Sequence, residues 1–306
     1  MAGDRTKVPA MAPRTRPIYD NCRVLDISGE LLFRAGQRRV DWYLARGLAR
    51  RVDPQTIQLA FANRGSGRRD EPFYPQDMRN ECVVCGSAER LTMHHVVPHQ
   101  YRHHMEEAVK SRSSHDLLPL CTACHDAYEA HAVRFKQHLA VCFAAPLQGT
   151  GWTARRDIGR AQRAAAALAS PAVAKIPAPR VAELQAAVDE AVRANAALLG
   201  ADARSCIDEC RARGAGVWTS AAVLDGLLAL ETQVRGPDYR SHGEIVVAAA
   251  PRPETCGACR ALAAGGPAAL VAAWRRHFVE CARPAHLPDH WSVDHPLCDA
   301  GAALGA

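Results

Sequence analysis

The chain has 306 residues, 48% hydrophobic and 23% charged, which fits about two globular domains and excludes a collagen, a coiled-coil rod or a wholly disordered chain. The formal net charge is +6, and the excess lies in residues 1–150, which hold 21 Lys and Arg against 16 Asp and Glu. Because there is neither an apolar run of ~18 residues nor an apolar export segment, we expect an intracellular protein with no membrane partner.

The first eighteen residues are predicted to form a disordered or leader-like tail. Arg5, Lys7, Arg14 and Arg16 stand against the single acidic residue Asp4, which is a feature of mitochondrial leaders. The segment lacks the serine content and the apolar face of such leaders. The sequence therefore leaves the compartment open between the nucleus and the mitochondrion.

Residues 19–79 are predicted to form a small α+β unit. The turn-forming pair Ser28-Gly29 separates two apolar runs and predicts a β-hairpin. Apolar residues at helical spacing predict a helix over Gln37–Arg51, and alternating residues predict a strand over Thr56–Phe61. Residues 64–75 are polar and turn-forming, which predicts a loop.

Twelve cysteines in a chain without an export signal are expected to be thiols or metal ligands. Two Cys-x-x-Cys pairs stand out, separated by 35 residues. Their spacing is typical of a structural zinc site whose ligands would be Cys82, Cys85, Cys121 and Cys124. The sequence predicts a zinc-stabilised module over residues 80–146.

Histidines cluster in the same module, with nine of the fourteen lying within residues 94–138. Leu91–Pro98 is predicted to be a short strand containing His94-His95, and Thr122–Leu139 is predicted to be a helix that begins with Cys124-His125. Adjacent residues of a strand point to opposite faces, so one histidine of the pair is expected to be buried and the other solvated.

The module resembles the ββα-metal finger of HNH nucleases in the order of its motifs. These are a cysteine pair, a His-His strand, the segment Asp-Leu-Leu-Pro-Leu-Cys and a final Cys-His. The resemblance implies that His94 and His125 bind a divalent cation and that His95 is the general base. The Asn of the family name falls on Asp116. This departure adds a carboxylate that either helps to hold the cation or marks a site that has drifted from catalysis.

The implied chemistry is cation-dependent phosphodiester hydrolysis, in which a neutral imidazole takes the proton of water and a cation neutralises the developing charge. Residues four positions apart on a helix are offset by only about 40° around its axis. Glu129 therefore shares a face with His125 and is a candidate third ligand. Such an oxygen ligand would favour Mg²⁺ or Mn²⁺ over zinc at this position.

Two alternatives stay open at this point: a finger that binds DNA or RNA without cleaving it, and a purely structural finger. Arg102, Lys110 and Arg112 belong to a basic, histidine-rich segment for which phosphate contact is a hypothesis. Solvated surface charge explains the same residues equally well.

Residues 147–306 are predicted to form one mainly helical domain, with helices over Arg155–Ala169, Val181–Leu199, Ser220–Glu231 and Pro267–Cys281. Cys206 and Cys210, together with Cys256 and Cys259, are candidates for a second zinc site. Buried thiols of an Ala-rich helical region are the simpler interpretation.

Seven segments together resemble the C-terminal region of the 3′-5′ exonuclease domain-containing protein 2 family. They are Tyr19–Asp26, Gly29–Leu32, Trp42–Leu48, Cys82–Gly86, Val97–Arg102, Ser114–His125 and the terminal WRRHF…WSVDH stretch between Trp274 and His295. The resemblance implies nucleic-acid processing and an association with nuclear DNA repair and mitochondria. Members of the family carry an upstream exonuclease domain, whereas eighteen residues precede Tyr19 here. We therefore expect any cleavage to come from the finger, or the protein to act beside a separate exonuclease polypeptide.

The predicted fold class is α+β. It consists of an HNH-like ββα-metal finger with a four-cysteine zinc site within a small α+β domain, followed by a mainly helical C-terminal domain.

Overall fold

The computed structural model describes residues 12–62, 71–107, 113–248 and 257–297. One compact unit is Gly149–Arg240, and the described residues before and after it form the other. The sequence pattern instead predicts one helical domain over residues 147–306, because composition does not show which core a helix packs against. None of the helices within the described ranges is long and apolar enough to cross a lipid bilayer.

The first unit begins with a four-stranded sheet and a helix. These elements are β1 (Cys22–Leu25), β2 (Leu31–Ala35), α1 (Gln37–Ala45), β3 (Ala49–Asp53) and β4 (Thr56–Leu59). The strand order is β2-β1-β4-β3, with β1 and β4 parallel and the other neighbours antiparallel.

The predicted hairpin is confirmed. At its turn, Oδ1 of Asp26 accepts hydrogen bonds from the backbone N–H groups of Ser28 and Glu30 at 2.8 and 2.9 Å. Gly29 has a φ of +90°, a conformation that L side chains rarely adopt. The predicted helix over Gln37–Arg51 is shorter than expected, because residues 49–51 pair with β4 instead.

The finger follows. Its elements are β5 (Leu91–His95), α2 (His99–Arg102), β6 (Leu117–Cys121) and α3 (Thr122–Cys142). The strands β5 and β6 are antiparallel, with Leu91 opposite Cys121 and His95 opposite Leu117. This register places the cysteines at one end of the strand pair and the paired histidines at the other.

The second unit is mainly helical, as predicted, but it also contains an antiparallel pair of strands. Its elements are β7 (Thr150–Ala154), α4 (Arg156–Ala169), α5 (Ala178–Asn195), α6 (Ala201–Ala212), α7 (Ala221–Leu228) and β8 (Gln233–Arg240). Small aliphatic side chains such as Ala161, Ala165 and Val188 build its core.

The C-terminal segment returns to the first unit. It contains α8 (His242–Ala248), α9 (Gly257–Ala264) and α10 (Gly266–Ala282), followed by irregular chain. Trp274 and Phe278 are fully buried in the same core as Val96, Leu118 and Tyr128 of the finger. The C-terminal segment therefore completes a core that the finger alone is too small to supply.

Candidate functional site

The four predicted cysteines converge. The sulfur atoms of Cys82, Cys85, Cys121 and Cys124 all lie within 4.8 Å of one another. The Sγ atoms of Cys85 and Cys121 are 3.8 Å apart, which matches the ~3.8 Å edge of a tetrahedron with metal–sulfur distances of ~2.3 Å. These residues fit a structural zinc ion, and we call them the four-cysteine cluster.

Local backbone geometry forms the first half of this cluster. Gly86 has a φ of +75° and its N–H donates to the carbonyl of Cys82 at 2.8 Å, which closes a tight turn around the first pair. In the second pair, Cys121 ends β6 and Cys124 lies in the first turn of α3. Burial, and then contacts with the other three cysteines, raise the pKa of the Cys124 thiol, so a bound cation is needed to favour its thiolate.

The opposite end of the strand pair presents the histidines. His94 is buried and His95 is exposed, as the alternation of the strand predicts. Nδ1 of His94 lies 3.1 Å from Nε2 of His125, the first histidine of α3. Nε2 of His94 is buried and has no hydrogen-bond partner in the described part of the chain.

Thr92 fixes the ring of His125. Its hydroxyl donates to the carbonyl of Leu120 at 2.8 Å, and its oxygen lies 2.8 Å from Nδ1 of His125. A hydroxyl has one proton, so His125 must donate from Nδ1, and its Nε2 presents a lone pair towards His94. Burial comes first among the causes that lower the pKa of His94 and of His125, so both imidazoles are in the neutral form that binds metals.

These histidines line a cleft of about 170 Å³. Besides His94, His95 and His125, its walls include Tyr128, Glu129, Lys136 and Trp274. We call it the histidine cleft. Desolvation at the cleft, and then electrostatic repulsion from Arg102 and His99, lower the pKa of His95 to about 4, so this imidazole is neutral at pH 7.

Glu129 lines the cleft but is already engaged. Its Oε1 accepts from Nζ of Lys136 at 2.8 Å. Within the described ranges, the four cysteines are the one group of three or more potential ligands whose atoms lie within 4.8 Å. Glu129 therefore does not join His94 and His125 at that distance.

Asp116 lies elsewhere. Its two carboxylate oxygens accept from Nε and Nη2 of Arg275 at 2.7 and 3.1 Å, and both side chains are almost fully buried. Burial alone would raise the pKa of Asp116, but hydrogen bonds from His115 and Arg275 lower it. The backbone carbonyl of Asp116 accepts from the N–H of Val96 at 2.8 Å, so the ion pair holds the turn that follows His95.

The terminal WRRHF stretch contributes residues that sequence reasoning did not assign to the site. Phe278 stacks on His94, with ring centroids 5.5 Å apart, and Trp274 lines the histidine cleft. His277 contacts the hydroxyl of Tyr128 through Nδ1 at 3.0 Å. The signal was visible in the sequence as a resemblance to the exonuclease-related family, but nothing local linked it to the finger.

The remaining predicted residues are less informative. Nε of Arg102 donates to the carbonyl of Val97 at 3.1 Å, whereas Lys110 and Arg112 lie outside the described residues. Cys206 and Cys210 are free thiols on α6, while Cys256 and the side chain of Cys259 are not described. Cys142 is disulfide-bonded, which the expectation of thiols and metal ligands did not include.

Comparisons with known proteins agree with this geometry. Residues 82–136 match the family model described as HNH endonuclease. The chain is 31% identical over 285 residues to exonuclease 3′-5′ domain-containing protein 2 of Mus musculus, covering 92% of this chain and 39% of that protein. The Drosophila melanogaster protein of the same name is 32% identical over 292 residues, covering 93% of this chain and 45% of that protein.

A plant protein is also similar. Protein RRP6-like 3 of Arabidopsis thaliana is 40% identical over 134 residues, covering 43% of this chain and 15% of that protein. A comparison with solved structures found no match. The chain spans less than half the length of the curated relatives that it matches. The predicted resemblances are confirmed. Residues 82–136 match the HNH endonuclease model, and the chain is similar over 92% of its length to a protein named exonuclease 3′-5′ domain-containing protein 2.

Proposed function

We propose that this chain is a nucleic-acid-processing protein whose finger hydrolyses phosphodiester bonds with Mg²⁺ or Mn²⁺ as cofactor. The observation that carries the proposal is the approach of His94 and His125 to 3.1 Å in a cleft that His95 also lines. The match to the HNH endonuclease model and the names of the relatives support nucleic acid as the substrate class.

The spacing of the histidine pair fits one divalent cation. The 3.1 Å separation is close to the ~3.0 Å edge of an octahedron with ligand distances of ~2.1 Å. His94 and His125 would hold the ion, with Thr92 fixing the tautomer of His125 and Phe278 packing against His94. The ion supplies charge neutralisation at the scissile phosphate and at the leaving oxygen.

His95 is the proposed general base. Because its pKa of about 4 keeps the ring neutral at pH 7, one imidazole nitrogen can accept the proton of the attacking water. The water oxygen then bonds to phosphorus as the bond to the leaving oxygen breaks. Arg102, whose positive charge acts on His95, is the proposed phosphate contact beside the base.

The test is nicking of plasmid DNA and of single-stranded RNA with added Mn²⁺. We expect His95→Ala to reduce the cleavage rate by ~10²–10⁴-fold at unchanged zinc content, because the base is lost while the four-cysteine cluster is untouched. His103→Ala is the matched control, since His103 is exposed and does not line the cleft. Cleavage that survives His95→Ala would eliminate His95 as the base.

A second candidate is a non-catalytic finger that binds nucleic acid or acts as a scaffold beside a separate exonuclease. The observation that favours it is that Glu129 and Asp116 are both engaged by basic side chains rather than directed at His94 and His125. Binding of DNA or RNA without nicking, by a fully zinc-loaded chain supplied with Mn²⁺, would select this alternative.

A further inference from the structure

A large cavity lies beside the finger. It has a volume of about 640 Å³, within the ~300–1,000 Å³ of ligand-binding pockets. All of its walls belong to the first unit. They come from the segment around Tyr19, from β2 and α1, from residues 73–78, from Ser114, and from Leu117 at the start of β6. The function proposed above makes no use of it.

Aromatic rings and a guanidinium meet in this cavity. Phe33, Tyr43 and Tyr74 contribute rings, and the guanidinium of Arg39 lies 5.5 Å from the centroid of Phe33. Among the described residues no carboxylate or carbonyl engages the side chain of Arg39, which is exposed. Flat rings with a nearby cation are the two components with which proteins hold an unpaired base and its phosphate.

Two other charged side chains line the cavity. Arg34 forms an ion pair with Asp77 at 2.9 Å, whereas Asp20 is the one carboxylate among the lining residues, and its Oδ2 accepts the N–H of Gln37 at the start of α1 at 2.8 Å. Of the two arginines in the lining, Arg39 is therefore the one without a described ion pair, and it is the cation that meets a phosphate in this proposal.

The cavity adjoins the proposed base. Leu117, which lines it, is the cross-strand partner of His95, and such partners have Cα atoms ~5 Å apart. The hydroxyl of Tyr19 donates to the carbonyl of Leu117 at 3.1 Å, which ties the cavity wall to the same strand. Leu117 therefore links the cavity to the strand pair that carries His95.

We propose that this cavity binds an unpaired nucleotide of the nucleic-acid substrate, with the base against Tyr43 and Phe33 and a phosphate on Arg39. This inference rests on the proposed function, and it names the substrate class as single-stranded or locally unpaired nucleic acid. A paired base is already stacked between its neighbours and hydrogen-bonded, so it has no free face for these rings.

Binding is measured by fluorescence anisotropy with a labelled 12-nucleotide DNA strand, the RNA strand of the same sequence and the corresponding DNA duplex. The full-length chain carries His95→Ala, and no Mg²⁺ or Mn²⁺ is added, so that the strand stays intact. We expect Arg39→Gln and Tyr43→Leu each to weaken single-strand binding by about fivefold or more and duplex binding by less than about twofold. Arg38→Gln is the matched control, because Arg38 is exposed on the same helix, changes the charge equally and does not line the cavity.

Equal losses for Arg38→Gln and Arg39→Gln, or equal losses on strand and duplex, would overturn the inference. Photo-crosslinking gives a second measurement that does not depend on the variants: a strand with one 4-thiothymidine should label the peptide containing residues 40–46, and labelling confined to other peptides would overturn it. The two proposals fail separately. If His95→Ala leaves cleavage intact, the proposed base is wrong whatever the binding result. If cleavage depends on His95 but binding does not depend on Arg39, only the proposed nucleotide subsite is eliminated.

Discussion

The four-cysteine cluster and the histidine cleft lie at opposite ends of one pair of strands, β5 and β6, yet they are built in different ways. The cluster uses two short motifs, and the pairing of β5 with β6 within the finger brings them together. The cleft uses His94 and His125 of the finger, but its packing depends on Trp274 and on Phe278, which lies 278 − 94 = 184 positions after His94. We infer that the four-cysteine cluster stabilises the finger, and that under the proposed function the histidine cleft carries its chemistry.

The largest effect should follow removal of one sulfur ligand. We expect Cys82→Ser to lose the zinc and to destabilise the finger strongly, since structural zinc supplies ~10–16 kcal/mol of binding free energy in finger peptides. Elemental analysis and thermal melting measure the two effects. Cys206→Ser, which alters a free thiol of the second unit, should keep the metal. A Cys82→Ser protein that retains stoichiometric zinc would contradict the assigned ligand set.

The next effect concerns the buried ion pair that ties the C-terminal segment to the finger. Arg275→Met should lower the free energy of unfolding by ~3–5 kcal/mol, because it leaves the Asp116 carboxylate buried and unpaired. Urea unfolding measures this, with the exposed neighbour Arg276→Met as control. Adding Asp116→Leu to Arg275→Met should restore most of the lost free energy of unfolding. If the double variant loses as much free energy of unfolding as the two single variants added together, the result would argue against the pair.

The same pair predicts a pH dependence. The folded-state pKa of Asp116 lies below its ordinary value of 3.8, so the pair stabilises the protein above about pH 4 and the contribution is lost as the pH falls through the folded-state pKa. The stability difference between the wild type and Arg275→Met should therefore shrink in acid. A difference that grows as the pH falls would contradict this sign.

A smaller effect should separate the cleft from the cluster. Thr92→Val removes the acceptor that fixes Nδ1 of His125, and we expect the Mn²⁺ concentration needed for half-maximal nicking to rise by ~10–100-fold at unchanged zinc content. Thr56→Val, a buried hydroxyl of the N-terminal sheet, is the control. An unchanged Mn²⁺ requirement would show that His125 does not hold the cation through this tautomer.

The smallest effect tests Glu129. Lys136→Met frees the carboxylate of Glu129 from a partly exposed ion pair. Such a pair contributes at most ~1 kcal/mol, so the affinity of the histidine cleft for Mn²⁺ should rise by no more than about fivefold. Arg134→Met changes the charge of the same helix at an exposed position and should have no such effect. Weaker Mn²⁺ binding by Lys136→Met would exclude Glu129 as a reserve ligand.

Local patterns predicted much of the finger and of the N-terminal sheet. The hairpin at Ser28-Gly29, the strand over Leu91–His95 and the helix from Thr122 follow from turn chemistry and apolar periodicity. Apolar periodicity did not predict β3. Residues 49–51 continue the helical spacing of the apolar residues before them, although their backbone pairs with β4. It also placed the C-terminal helices in one domain, although those after residue 240 pack in the first unit.

The sequence by itself determined the four cysteines, the His94-His95 pair and His125, because metal-ligand spacing and strand alternation act over a few residues. Only the tertiary structure decided that Asp116 pairs with Arg275, 159 positions away, that Phe278 packs on His94 and that a cavity opens behind Leu117. Those contacts depend on which buried faces share a core, and no local spacing records that choice.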